Sequence, residues 1–122
     1  MKVITFHATP DGGSRFAEID IPLDQSREDG FGHTITHSSP WASPAVQFVQ
    51  LPAGLSQDWH QAPARQIVVV LDGIIEVETT DGETRRWRRG GVFLPADIEG
   101  RGHRTRCIDG PVCLLFAPWP KL

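Results

Sequence analysis

No apolar run in this chain approaches the roughly 20 residues that a membrane-crossing helix needs. The first residues carry a charge but neither a long apolar stretch nor a small-residue cleavage site, so a signal peptide is not expected. A cytoplasmic location is the resulting expectation. Cysteine is scarce: Cys107 and Cys113 lack CxxC spacing and read as two small buried residues rather than a disulfide or metal pair. A strong charge of either sign is also missing. The net charge of −3 over 122 residues gives no global attraction to nucleic acid or anionic lipid, and neither partner is expected. There is no tyrosine, so no phenol is available for acid–base work. Repeats, low-complexity tracts and a convincing amphipathic helix are absent as well.

What is present is frequent punctuation. The 12 glycines and 10 prolines are spread throughout and cut 122 residues, one domain's worth, into short pieces. Strands are expected over residues 3–6 and 15–21. A long loop follows over 24–44, with one short strand near 33–36. Further strands are expected over 45–51, 57–60, 66–71, 74–80, 84–88, 92–95, 103–108 and 112–116. The run Gln66-Ile67-Val68-Val69-Val70-Leu71 has no polar face after its first residue, so both its sides should be covered. Asp72-Gly73 and Asp81-Gly82 read as hairpin turns, and Asp109-Gly110-Pro111 as the connection between the last two strands. Turn signals every eight to twelve or so residues predict an all-β sandwich or barrel.

Within that pattern one spacing carries chemistry. Gly54, His60, Ala62, Gln66 and Gly73 are separated by five, one, three and six residues. His60, Ala62 and Gln66 share parity and would share a face of extended chain. His103 lies in a later strand and could meet them in one pocket.

These residues resemble the small single-domain cupins. That family's first motif is Gly, five residues, His, one residue, His, three or four residues, Glu, six residues, Gly. Gly54, His60 and Gly73 match it; Ala62 replaces the second His and Gln66 the Glu. The second motif is looser: Gly90 and Pro95 are one residue too close, His103 comes three residues late, and Cys107 stands where the family has Asn. The resemblance implies a double-stranded β-helix, or jelly roll, with residues 51–116 holding the conserved-barrel motifs and 1–50 the N-terminal strands and loop of a single domain. It also implies a metal site of His60, Gln66 and His103 for Fe, Mn, Ni or Zn, a small-molecule ligand, and a homodimer.

Two imidazoles and one carboxylate form the facial triad of non-haem iron enzymes. Here an amide replaces the carboxylate, so a bound ion would keep its full double charge, be held more weakly, and favour an anionic substrate atom. The implied activity is oxygenation or isomerisation of a small organic molecule, with His60 and His103 as catalytic candidates. Metal-free acid–base chemistry is open too, with Asp97 or Glu99 supplying a carboxylate. The family's metal-free epimerases use His with Tyr, and this chain lacks Tyr. The alternatives are a non-catalytic binding or sensor domain, and a scaffold whose barrel is filled by Phe48, Phe93 or Phe116. Arg85, Arg86, Arg88 and Arg89 are expected to pair across strands with Glu76 and Glu78. Arg65, Arg104 and Arg106 should point outward.

Overall fold

The computed structural model describes residues 1–119. Ten strands and no helix are found there: β1 (Lys2–Ala8), β2 (Ser14–Asp20), β3 (Gln25–Glu28), β4 (Thr34–His37), β5 (Gln47–Leu51), β6 (Ser56–His60), β7 (Gln66–Glu78), β8 (Thr84–Trp87), β9 (Val92–Ala96) and β10 (His103–Pro118). No helix among the described residues is long and apolar enough to cross a membrane.

Two long strands organise the molecule. β7 and β10 pair antiparallel along their lengths, from Arg104↔Glu78 to Pro118↔Gln66, with register shifts in between. The first half of β10 also pairs with β6, and the second half of β7 with β8. The second half of β10 pairs with β5, and the first half of β7 with β9. The result is two sheets, β6–β10–β7–β8 and β5–β10–β7–β9, sharing the bent strands. β1 adds parallel to β9, and β2 pairs antiparallel with β1. This is a jelly roll, as the turn spacing predicts.

The hairpin turn expected at Asp72-Gly73 is corrected: the strand runs through it and bends. Gly73 has φ +86, and a Cβ there would lie 2.3 Å from the Pro111 carbonyl oxygen. Only glycine lets the two long strands fold over each other at that point. The bend also switches parity. Gln66, Val68 and Val70 are buried before it, Ile75 and Val77 after it. The break expected at 109–111 is likewise a bend within β10; His103, Thr105 and Cys107 are buried before it, Val112 and Leu114 after it.

Those inward residues form the core. Val68, Val70, Ile75, Val77, Cys107, Val112 and Leu114 pack with Phe6, Phe16 and Phe93. Phe6 is fully buried, its ring 5.8 Å from Phe16 and 6.0 Å from Phe93. Burial of such a ring stabilises the fold by roughly 1.5–3 kcal/mol. A second cluster covers the outer face of β7 and β9: Leu94, Val3 and Ile21, with Ile67, Val92, Trp41 and Trp119 packed on it. Trp41 and Trp119 stack at 3.7 Å. The apolar run of β7 is therefore covered on both sides up to Val70, while Leu71 is 38% exposed. The loop expected over 24–44 holds two strands instead of one. β3 and β4 form a hairpin of their own, because their residues alternate without an apolar face to bury against the barrel.

Candidate functional site

His60 ends β6, His103 begins β10, and the two are register partners. Directly opposed residues of an antiparallel pair project to the same face. Their ring centroids lie 4.5 Å apart at an interplanar angle of 54°. His103 is buried and His60 half-buried. The close approach depends on Gly102. It has φ +78, and a Cβ there would lie 1.9 Å from the His60 carbonyl oxygen. Beneath the pair, the Phe6 ring stands 4.8 Å from His103.

Each imidazole has one nitrogen committed. His103 Nδ1 lies 2.5 Å from Asp97 Oδ2. His60 Nδ1 lies 2.7 Å from the Asp58 carbonyl oxygen. A carbonyl oxygen only accepts, so Nδ1 of His60 carries the proton and Nε2 keeps its lone pair. The carboxylate assigns the same tautomer to neutral His103. Both Nε2 atoms are thus left to accept a proton or bind an ion.

Asp97 is the residue the sequence pattern underplays. It is fully buried, whereas its companion candidate Glu99 is exposed. The backbone holds it in place, since its carbonyl accepts from the Ala62 N–H at 3.1 Å. Its Oδ1 is the buried side-chain polar atom left without a hydrogen-bond partner among the described residues. The available signal was its spacing of six residues from His103 across two glycines, Gly100 and Gly102, both at positive φ. Those glycines fold the loop back so that Asp97 reaches the ring.

Gln66 begins β7, 7% exposed, with the inward parity of Val68 and Val70. It pairs with Pro118 at the end of the β7–β10 ladder. Among the described residues no three His, Cys, Asp or Glu side chains are grouped to hold a metal. His33 bonds Asp29 within the β3–β4 hairpin, and His37 bonds the Ser38 carbonyl. Phe93 is core, Phe116 packs on its edge, and Phe48 is 73% exposed.

On the outer face of the same sheet the charges pair off. Glu76 accepts from Arg86 at 2.7 Å and from Arg106 at 2.6 Å. Arg104 bonds Glu78. Burial raises the Glu76 carboxyl's pKa, but the bonds to Arg86 and Arg106 outweigh it and hold it below the usual glutamate range. Trp59 also faces outward, with the Arg104 and Arg101 guanidinium carbons 4.6 and 5.1 Å from its ring centre.

The arrangement is specific: two four-stranded sheets sharing bent strands, with the first-motif histidine facing the second-motif histidine across a strand pair. The chain has the cupin fold. The two imidazoles stand on paired strands, and Ala62 has no donor atom to offer. No protein-family model matches the chain. Over 84 residues it is 37% identical to dimethylsulfoniopropionate lyase DddQ of Ruegeria pomeroyi, covering 66% of this chain and 40% of that protein. The chain thus spans well under half the length of that curated relative. A cupin domain of Schizosaccharomyces pombe Cnp3 is 17% identical, covering 95% of this chain and 85% of that one, with a TM-score of 0.48. An RmlC-like cupin from Shewanella frigidimarina is 20% identical, covering 62% and 68%, with a TM-score of 0.43. The strand order, not these overlaps, carries the fold.

Proposed function

We propose that this cupin acts on a small organic anion by proton transfer at the His60–His103 pair. The observation that carries the reading is the pairing of the rings: their centroids lie 4.5 Å apart, each Nδ1 is tied to an oxygen, and both Nε2 atoms are left over. A ring held this way is pre-oriented to take a proton from carbon and return it, which is isomerisation, or to keep it while a leaving group departs with the bonding electrons, which is elimination. Resemblance to a lyase of dimethylsulfoniopropionate supports the second outcome and a substrate that carries a carboxylate. Oxygenation is the weaker reading, because the buried Asp97–His103 pair is built to handle a proton.

The donor set also suits a divalent ion. The two Nε2 atoms and the Gln66 amide oxygen would hold Fe, Mn, Ni or Zn, and the Asp97–His103 bond is the outer-shell partner that metal-binding imidazoles usually have. Such an ion would supply Lewis-acid polarisation of a substrate oxygen. With three neutral donors it would be held more weakly than by a carboxylate set. With an ion held, both Nε2 lone pairs would be engaged, so the imidazoles would bind the ion in place of carrying the proton, and Asp97 would still aim His103.

Deuterium exchange at carbon in a panel of small carboxylates, starting with dimethylsulfoniopropionate, tests this. His60→Gln and His103→Gln should each lower turnover by about 100-fold or more while melting stays within a few degrees. Unchanged turnover in both variants overturns the reading. After incubation with each ion, a bound stoichiometry near zero in the wild type removes the metal and leaves the acid–base pair.

A second reading has its own support. Phe6, Phe16, Phe93 and Trp87 crowd the interior below His103, which suits a binding or sensor domain without turnover. Ligand binding without exchange or product, in the same assay, would select it. A homodimer in the cytoplasm, without nucleic-acid or membrane partners, belongs to the same proposal. β5 ends its sheet and presents Phe48 to solvent. Light scattering should give a dimer mass that Phe48→Glu reduces; a wild-type monomer removes this part.

A further inference from the structure

A groove of about 480 Å³ lies at the end of the barrel where Gln66 and Asp97 stand, lined by Pro44, Pro63, Ala64, Arg65, Ile98 and Pro118. Its walls are chain neighbours of the site. Pro63, Ala64 and Arg65 connect His60 to Gln66, and Ile98 follows Asp97. Three residues of chain span at most about 11 Å, so Pro63 is within that reach of His60. Three prolines fix the backbone around the groove. The Trp119 N–H donates to the Arg65 carbonyl at 2.8 Å and ties the wall to the end of β10.

Among the described residues the lining is apolar except for one cation, Arg65, and no acidic side chain lines the groove. Arg65 is half-buried, and among the described residues its guanidinium has no carboxylate partner, unlike Arg86, Arg104 and Arg106. A planar fork of donors in an apolar, rigid groove matches a carboxylate bidentately and leaves apolar surface for a short carbon chain. The volume falls within the range of small-ligand pockets.

We propose that this groove is the recognition subsite for the substrate of the histidine pair, and that Arg65 selects small carboxylates with a short apolar body. The proposal rests on the histidine reading for its purpose, but its test does not. Propionate and its neutral counterpart propionamide are titrated into the full chain and followed by NMR. Wild type should bind propionate saturably and propionamide at least about tenfold more weakly. Arg65→Gln should weaken propionate by about tenfold or more and leave propionamide unchanged, with Arg65→Lys falling between. His103→Gln should keep propionate binding within about threefold, because additivity holds for sites that share no partner. Absence of saturable propionate binding below about 50 mM, or wild-type binding by Arg65→Gln with unchanged melting, overturns the proposal. If Arg65→Gln loses binding while the histidine variants keep turnover, the histidine reading fails alone. If the histidine variants lose turnover and Arg65→Gln binds normally, the groove proposal fails alone.

Discussion

The sheet β6–β10–β7–β8 carries a polar cluster on each face, and the two are built differently. On the outer face Glu76 is buried but receives two arginines, and Glu78 receives a third. On the inner face Asp97 has one oxygen on His103 and the other without a partner among the described residues. A satisfied network holds strands together; a buried group left unsatisfied is a cost that folding alone does not explain. The contrast fits a structural role for the outer cluster and supports the proposed chemistry at the inner one.

The largest effect should come from the hinge common to both. Gly102→Ala forces a Cβ into the His60 carbonyl at a φ that disfavours any side chain. We expect a loss of about 3 kcal/mol or more, together with turnover, because β6 must move off β10. Thermal denaturation and exchange assays report both; a variant as stable as wild type would mean the strands are not pinned there.

Asp97→Asn should separate the faces. It removes the charge that orients His103 and should cost about 10–100-fold in activity or metal affinity. Stability should hold or rise, since a buried charge that has one partner becomes a neutral amide. A fall in melting temperature with full activity would show that the inner cluster is structural after all.

Glu76→Ala should do the reverse at a smaller scale. Its arginine partners are about half exposed, so solvent screening limits the loss to about 1 kcal/mol. Turnover should stay unchanged. The same residue sets an acid limb. Its carboxyl is held below the usual range in the fold, so its contribution is complete above the unfolded value of about 4.3 and is lost as pH falls through the lowered native value. Denaturation midpoints measured from pH 6 to pH 3 should fall less steeply in Glu76→Gln than in wild type. Equal slopes would remove Glu76 from the acid response.

Much of this was legible before folding. Parity within each short run placed Ile75 and Val77 inward, Glu76 and Glu78 outward, and His103 opposite in sense to Arg104 and Arg106. Asp72-Gly73 shows the limit. Its residues are those of a turn, and whether the chain reverses or bends depends on which strand it meets. Pairing with β10 on both sides of Gly73 makes it a bend. The hairpin β3–β4 was half missed because its strands have four residues each and bury little.

Local alternation, then, is a property of the chain alone: successive side chains of a strand must point opposite ways wherever the strand ends up. That rule identified two inward imidazoles and the arginine–glutamate face. It has no power over partners distant in sequence. Register across β6 and β10 put one imidazole against the other, and a loop folded by Gly100 and Gly102 brought Asp97 to His103. Those contacts exist only once the strands have paired, because hydrogen-bond register, not residue order, decides which side chains meet.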